Sequence, residues 1–567
     1  MTDTPKASKR EDQAMIELGS TTVSWSVKIL LVLAFLVIIV SVILAEVVTA
    51  YVRGEGSLLP PGLRLSEVLP EVDGDVSRDR WPGVRPIVPT ADDLKAFESR
   101  VEDSSLLRTL VLPPVQYVMT SVFGVGNEEA IAGSNGWLYY SPDIEYVTAG
   151  PFLSEARLST YRRMREGGQD VPWLDPVRAI VDFRDQLRLR GVELVVLPTP
   201  VKPQVDPGWL DGTGQMAHEV LQNPSWSEFQ NQLKQAEVNV FDPAALLLRG
   251  SSECSSYLKT DTHWTPQGMQ QVANALADYL REQYDLPDHT SSLHAGITET
   301  VLAEGDLTAM LMLPDPVAFY PDLQCVITPV MTSEGQAVIP THGAPVMLLG
   351  DSFTNIYSLE SMGFGKGAGL AEHLSLALGV SIDWIARNAG GAAATREALA
   401  QHMAREQAMS QGGDRLAATK VVVWQFAMRE LLSGNWKPVE LPTDSGVLAS
   451  ESRDHSVGAE SGEVMGDIVQ MTYAPNPRSV PYKDAVIALH LANVEGDGFP
   501  DEMMVYGLGL KDRTLTPLSE RATGERVKLS LVEWGLVQSK YEGLNRVELD
   551  DPEFRLIELP LYWADEQ

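Results

Sequence analysis

Two short segments of the 567-residue chain carry the residue types that acyl transfer needs. The first is LLGDSFT, Leu348–Thr354, in which an apolar run ends at Gly350 and Ser352 follows two residues later in a tight turn. A serine hydroxyl attacks a carbonyl only when a base removes its proton. At a strand end it faces a cleft and lies beside backbone N–H groups that can stabilise an oxyanion. Standing alone, the string is equally an ordinary Gly-Asp turn whose serine caps the next helix. The second segment is KTDTHWTPQG, Lys259–Gly268, with Asp261 and His263 two apart and a helix starting directly after them. Side chains two apart on extended backbone project to one side. A carboxylate there can hold the imidazole tautomer while the other ring nitrogen faces the serine. A capping Asp and a backbone-bonded His would explain this segment by itself. The two motifs together favour a triad of Ser352 as nucleophile, His263 as general base and Asp261 as its orienter. The chain has nine His, and the other eight lack a comparable setting.

These residues need a scaffold that brings strand ends together. Residues 127–440 alternate short apolar runs with helical patterns. Val192–Val196, Val238–Phe241, Pro345–Leu349 and Val421–Trp424 read as buried strands. Asp175–Arg190, Thr265–Tyr284, Ala371–Leu378 and Thr395–Gln407 read as helices. Thr265 is placed to cap the second of these, with Pro266 in its first turn. Such alternation predicts an α/β domain with a mainly parallel sheet and helices on both faces. Active sites in such folds sit at the carboxyl ends of the strands.

The flanks read differently. Ile29–Ala45 holds seventeen uncharged residues with Ser41 alone polar, and Lys6, Lys9 and Arg10 precede it. Residues 23–52 are long enough to span a bilayer as an uncleaved signal anchor, with cleavage near Ala45 or Ala50 as the alternative. Residues 1–22 would then be a cytoplasmic tail and the remainder would be translocated. Residues 53–126, rich in Pro, Gly and charge at their start, read as a stalk and lead-in segment. Residues 441–463 read as a linker. Residues 464–567 hold strand-like runs separated by turn signals, the pattern of a small all-β domain of barrel or carbohydrate-binding type. Tyr473, Tyr482, Tyr506 and Trp534 there could stack on sugars or fill the core.

The balance of 77 acidic and 44 basic residues gives a formal charge of −33 and argues against nucleic acid as a partner. An anionic polymer could be handled only through a local basic cluster. The two cysteines, Cys254 and Cys325, have no CxxC or Cys/His spacing, so no metal is expected. They stand equally as one disulfide or as two free buried thiols. No cofactor is implied.

Gly-Asp-Ser with Asp-x-His resembles the SGNH hydrolases. Here TDTHW precedes GDSF, and that order resembles the bacterial alginate O-acetyltransferase proteins of the SGNH-like type. SNGWLYYSPDIEYV (Ser134–Val147), EGDLTAML (Glu304–Leu311), RNAGG (Arg387–Gly391) and VVVWQFAMREL (Val421–Leu431) extend the resemblance over residues 127–440. It departs at Gln425, where the family commonly has an acid. The resemblance implies an extracytoplasmic enzyme that acetylates an exopolysaccharide through an acetyl-serine. It also implies a polytopic membrane-bound O-acyltransferase as the acyl-donating partner. Asn388 or Gly350 would serve the oxyanion, Arg429 would support the site, and Trp264 would pack beside the triad. A glycan acetyl esterase with the same triad is the nearest alternative. A non-catalytic glycan-binding scaffold of a polysaccharide export complex is the other.

Overall fold

The computed structural model describes residues 24–53 and 106–565, apart from positions 170, 211, 214–216, 251–254, 288–292, 389, 409–413, 443–458, 476, 478–479, 481, 542, 547–548, 550–555 and 557–558. The expected cytoplasmic tail, most of the stalk, most of the linker and Cys254 lie outside the described residues. The chain divides into two compact units, Met1–Val115 and Gln116–Gln567.

In the first unit, helix α1 runs from Trp25 to Arg53 over 29 residues. Leu30, Phe35 and Val37 on it are more than half exposed. Some of its side chains lie outside the described residues. Among those described, no helix is long and apolar enough to cross a membrane.

The second unit holds a five-stranded sheet. Its strands are β1 (Glu193–Thr199), β2 (Asn239–Val240), β3 (Val346–Gly350), β4 (Asp383–Ala386) and β5 (Val421–Ala427), in the order β4-β3-β5-β1-β2 with every pairing parallel. Alternate residues serve opposite faces, as the pleat dictates. Val195, Leu197, Val346, Leu348, Val421 and Val423 join one core cluster, which includes Val272 and Leu276 of a covering helix. Leu194, Val196, Met347, Leu349, Val422 and Trp424 join the other, with Ile180 and Phe183. Burial on both faces explains why the strands read as continuous apolar runs.

Helices α2 (Ser141–Thr148), α3 (Glu155–Glu166) and α4 (Pro176–Arg188) precede the sheet; α5 (Pro266–Gln283), α6 (Leu370–Leu378) and α7 (Gly391–Ala408) are interleaved with it. The expected cap is present: the Thr265 side chain accepts from the Gly268 N–H at 3.2 Å, and Pro266 opens the helix. Strand β4 was not expected from the sequence. Its four residues include Asp383, whose carboxylate makes a bidentate pair with buried Arg415 at 2.6 and 2.7 Å. A charged residue inside a strand breaks the apolar run that signals one.

The C-terminal domain is a barrel. Strands β6 (Ser461–Met471), β7 (Ala485–Glu495), β8 (Met503–Lys511), β9 (Arg526–Glu533) and β10 (Leu561–Asp565) pair β6–β7, β7–β8, β8–β10, β10–β9 and β9–β6, which closes the ring. Closure leaves no unpaired edge among these five. Tyr482, Tyr506 and Trp534 are buried packing residues, so the sugar-stacking role considered for them gives way to the core; Tyr473 is 52% exposed. Val480, Tyr482, Ala485 and Leu510 belong to the same cluster as the sheet's first face, so the barrel shares a core with the α/β domain. Cys325 is a buried free thiol whose pKa burial raises to about 12.

Candidate active site

The nucleophile turn is built where β3 ends. Gly350 is the last strand residue, and a Cβ there would meet Thr354 Oγ1 at 2.1 Å. The glycine leaves room for the turn. Asp351 caps the short helix Ser352–Asn355, accepting from the Phe353 N–H at 2.9 Å through Oδ1. Its Oδ2 accepts from the Ala427 N–H at the end of β5 at 2.8 Å. Ser352 Oγ and the Ser352 N–H make no hydrogen bond among the described residues.

Gln425 fastens this turn from β5. Its Oε1 accepts from the Asp351 N–H and from Thr354 Oγ1, both at 2.9 Å, while Nε2 donates to Thr199 Oγ1 of β1 at 3.0 Å. Position 425 thus needs two acceptor contacts, which an acid supplies as well as an amide does; this gives a physical reason for the departure noted in the sequence. Gln425→Leu would take a partner from the Asp351 N–H and from the Thr354 and Thr199 hydroxyls, about 1–3 kcal/mol for each left unpaired. It is expected to lower the melting temperature and to reduce kcat at least ~10-fold with little change in KM. Gln425→Glu should keep most activity, and steady-state kinetics of the two variants checks both statements.

The histidine loop lies opposite. Leu258 N donates to His263 O at 2.9 Å and Thr265 N to Ser256 O at 2.8 Å, which closes residues 256–265 into a tight turn. Asp261 Oδ1 accepts from both the His263 N–H at 2.9 Å and His263 Nδ1 at 2.7 Å. The extended segment expected at 261–263 is therefore a bend, and the carboxylate folds back onto its own loop. Trp264 joins the two loops: its Nε1 donates to Phe353 O at 3.1 Å, and its ring meets the Phe353 ring edge-on at 5.2 Å. The His263 ring lies 4.8 Å from Phe353.

Ser352 and His263 line one cavity of about 160 Å³, together with Tyr140, Asp306, Arg429 and Glu430 among others. His263 Nε2 is buried there without a hydrogen-bond partner among the described residues. No hydrogen bond joins it to Ser352 Oγ, a common state for catalytic contacts that tighten only with substrate bound.

Arg429 reaches this cavity as expected. Its Nη1 donates to Asp143 Oδ1 at 3.0 Å, and its guanidinium stands 5.3 Å from the Tyr140 ring and 5.9 Å from that of Phe353. Burial disfavours its charge, but Asp143, Glu430 and Asp351 hold its pKa above the usual value. Asn388 does not line the cavity. Its Oδ1 accepts from Asn355 Nδ2 at 3.0 Å and its Nδ2 faces Met362 Sδ at 3.3 Å, so the oxyanion donor expected of it is turned elsewhere.

Sequence reasoning missed Asp306, although it sits inside the EGDLTAML segment. Its backbone N–H donates to Asp261 Oδ2 at 2.9 Å. Its carboxylate accepts from Thr262 N at 2.8 Å, Thr262 Oγ1 at 2.5 Å and Leu307 N at 2.7 Å, and lies 3.8 Å from His263 Nδ1. Asp261, His263 and Asp306 place one ligand-type atom each within 4.8 Å of one another. These hydrogen bonds account for that closeness. Burial and the neighbouring Asp261 charge raise the Asp306 pKa to about 6. Burial lowers the His263 pKa, but the Asp261 charge and hydrogen bond, with Asp306 behind them, outweigh it and the net shift is upward.

A base must be neutral, so activity should fall as pH drops through that raised value. Asp306→Asn removes one of the charges that favour imidazolium. The acid limb of kcat/KM is therefore expected to move to lower pH, with kcat down ~10-fold as the loop loosens. A role limited to folding would lower activity without moving the limb.

Lys202 lies beneath this network. Its buried ammonium donates to Leu138 O at 2.7 Å and Lys259 O at 3.4 Å, tying the Leu138–Tyr140 strand to the histidine loop. Burial lowers its pKa to about 8 against the pull of Asp261, Asp306, Asp143 and Asp206.

Residues 130–428, just over half of the chain, match the family described as the SGNH hydrolase-like domain of acetyltransferase AlgX. The chain is 27% identical over 241 residues to the "Probable alginate O-acetylase AlgJ" of Pseudomonas putida, across 41% of this chain and 57% of that protein. It is 23% identical over 197 residues to the protein of the same name from Pseudomonas aeruginosa, across 35% of this chain and 44% of that one. The chain thus spans about half the length of these curated relatives. Among solved structures, the O-acetyltransferase domain of P. putida AlgJ aligns with a TM-score of 0.37 and 23% identity, over 54% of this chain and 93% of that domain. The chain belongs to the family of SGNH hydrolase-like domains of acetyltransferase AlgX.

Proposed function

We propose that this protein is a membrane-anchored O-acetyltransferase that works outside the cytoplasm and acetylates an exopolysaccharide through an acetyl-serine. One observation carries the reading. Ser352 and His263 line one small cavity, and Asp261 Oδ1 sits 2.7 Å from His263 Nδ1 while Nε2 stays unpaired.

In the first half-reaction Ser352 Oγ attacks the donor's acetyl carbonyl and His263 Nε2 takes the hydroxyl proton. The tetrahedral oxyanion is met by the unbonded Ser352 N–H and by the Arg429 charge. It collapses to acetyl-Ser352 as His263 returns the proton to the leaving group. In the second, a sugar hydroxyl gives its proton to His263 and attacks the acetyl carbonyl; the sugar ester leaves and Ser352 regains the proton. Asp261 stays ionised throughout, fixing the ring and stabilising the imidazolium.

The relatives' names support alginate as the polymer and acetyl as the group. The family resemblance supports a polytopic membrane-bound O-acyltransferase as donor. The apolar composition of α1 and the cations before it support a single-pass anchor in a bacterial inner membrane, with the catalytic domain on the periplasmic side. Ser352 is 5% exposed, a burial that favours an acetyl-enzyme screened from water. Acetate release from an artificial acetyl ester tests the transfer step. An oligosaccharide should divert acetyl to itself and suppress free acetate. Fast acetate release indifferent to sugar would make the protein an esterase.

A further inference from the structure

On a chain with a formal charge of −33, one helix carries a local cluster of cations. Helix α3, EARLSTYRRMRE, carries Arg157, Arg162, Arg163 and Arg165 against Glu155 and Glu166. Arg162, Arg163 and, on α4, Arg178 are exposed. Arg165 is anchored: its Nη1 donates to Pro172 O at 2.6 Å and its guanidinium lies 4.1 Å over the Trp173 ring. Burial lowers its pKa, and Arg162 and Arg178 push it the same way with Glu166 opposing, so three guanidinium groups share one patch. Arg162 and Arg178 make no ion pair among the described residues. Crowded like charges destabilise a surface. That cost falls away when an anion covers them.

Beside this patch lies a cavity of about 580 Å³, lined by Arg157 and Tyr161 of α3, Glu145 of α2, Ser154, Leu432 and Ser433 among others. That volume suits a sugar-sized ligand. Arg157 is held there by the Phe152 and Leu432 carbonyls, and Glu145 faces it. The cavity takes residues from the carboxyl halves of α2 and the short helix Glu430–Ser433. The other ends of the same elements carry Tyr140, and Arg429 and Glu430, at the Ser352 cavity. Eight residues of helix span roughly 12 Å, the reach of a few sugar rings.

We propose that the basic face of α3 and the adjoining cavity bind the carboxylates of a uronate polysaccharide and hold the acceptor chain beside Ser352. This rests on the acetyltransferase reading and adds a binding site outside the catalytic cavity. The test uses the full-length chain with the double charge reversal Arg162→Glu/Arg178→Glu, both positions being exposed. A uronate oligosaccharide and a neutral cello-oligosaccharide serve as probes in calorimetry. The parent should bind the uronate preferentially and lose affinity steeply with salt. The variant should bind it at least ~10-fold more weakly and with a flatter salt dependence. Hydrolysis of p-nitrophenyl acetate, which needs Ser352 but no polymer, should be unchanged in the variant. Equal uronate affinity in parent and variant, or equal affinity of the parent for the neutral sugar, would overturn the proposal while leaving the Ser352 chemistry intact. Ester hydrolysis that survives Ser352→Ala would instead overturn the acetyltransferase reading, whatever the uronate results.

Discussion

Ser352→Ala is expected to abolish acetyl transfer, with kcat down at least ~10³-fold and no acetyl retained on the protein. The loss should come without unfolding. Ser352 Oγ makes no hydrogen bond among the described residues, so removing it orphans no partner, and the turn is held by Asp351, Gln425 and Thr354 instead. The expected variant is folded, with an unchanged melting temperature and residual activity near background. His263→Ala should fall to a similar level. The double variant should be no worse than either single one, because the two groups act on one proton. Kinetics of all three variants on an artificial ester, alongside calorimetric melting, checks the pattern. Multiplying losses would mean that the serine and histidine work independently.

Asp261→Asn is expected to cost a comparable amount, up to roughly 10⁴-fold in kcat. The reason is the pattern of donors around the carboxylate. Oδ1 faces the His263 N–H and Nδ1, and Oδ2 faces the Asp306 N–H. All three positions call for an acceptor, with Nδ1 carrying the proton. An asparagine has one acceptor oxygen. With that oxygen towards His263, its NH₂ group meets the Asp306 N–H head-on. Flipped, the NH₂ faces Nδ1, which must then give up its proton, and Nε2 becomes protonated and cannot act as base. The first arrangement carries a clash, and the second disables the base while leaving the pair's shape almost intact. Nitrogen NMR of His263 should report protonation moving from Nδ1 to Nε2. A variant that keeps the Nδ1–H tautomer and full activity would show that Asp261 is not the orienter.

Much of this site was legible because acyl transfer restricts residue types. A serine beside Gly-Asp at the end of an apolar run and a His two residues after an Asp, just before a capped helix, each mark a place where side chains meet at strand ends. The sheet was legible from β1, β3 and β5, whose burial on both faces makes them uniformly apolar. Strand β4 was hidden by Asp383, because its salt bridge with Arg415 depends on a partner 32 residues away. Asp306 was hidden for the same reason: its value lies in reaching across 45 residues to Asp261, and nothing local marks an aspartate whose backbone N–H, more than its charge, is what a distant carboxylate needs. Asn388 shows the converse. Its neighbourhood in sequence suited an oxyanion donor, yet the side chain is spent on Asn355 and Met362. Tyr506 and Trp534 suited either sugar stacking or core packing; the structure packs them edge to face with each other, in a cluster with Trp563 and Leu549 that is separate from the barrel interior around Leu489 and Val505. Sequence reports residue type well and side-chain direction poorly, and direction decides these cases.

The most direct test of the central claim is mass spectrometry of the intact protein after a brief incubation with an activated acetyl ester, followed by peptide mapping. The expected result is the added mass of one acetyl group on the peptide containing Ser352, absent from Ser352→Ala, and discharged when an acceptor oligosaccharide is added. Turnover of the ester with no adduct trapped at any quench time, or an adduct that persists in Ser352→Ala, would contradict it.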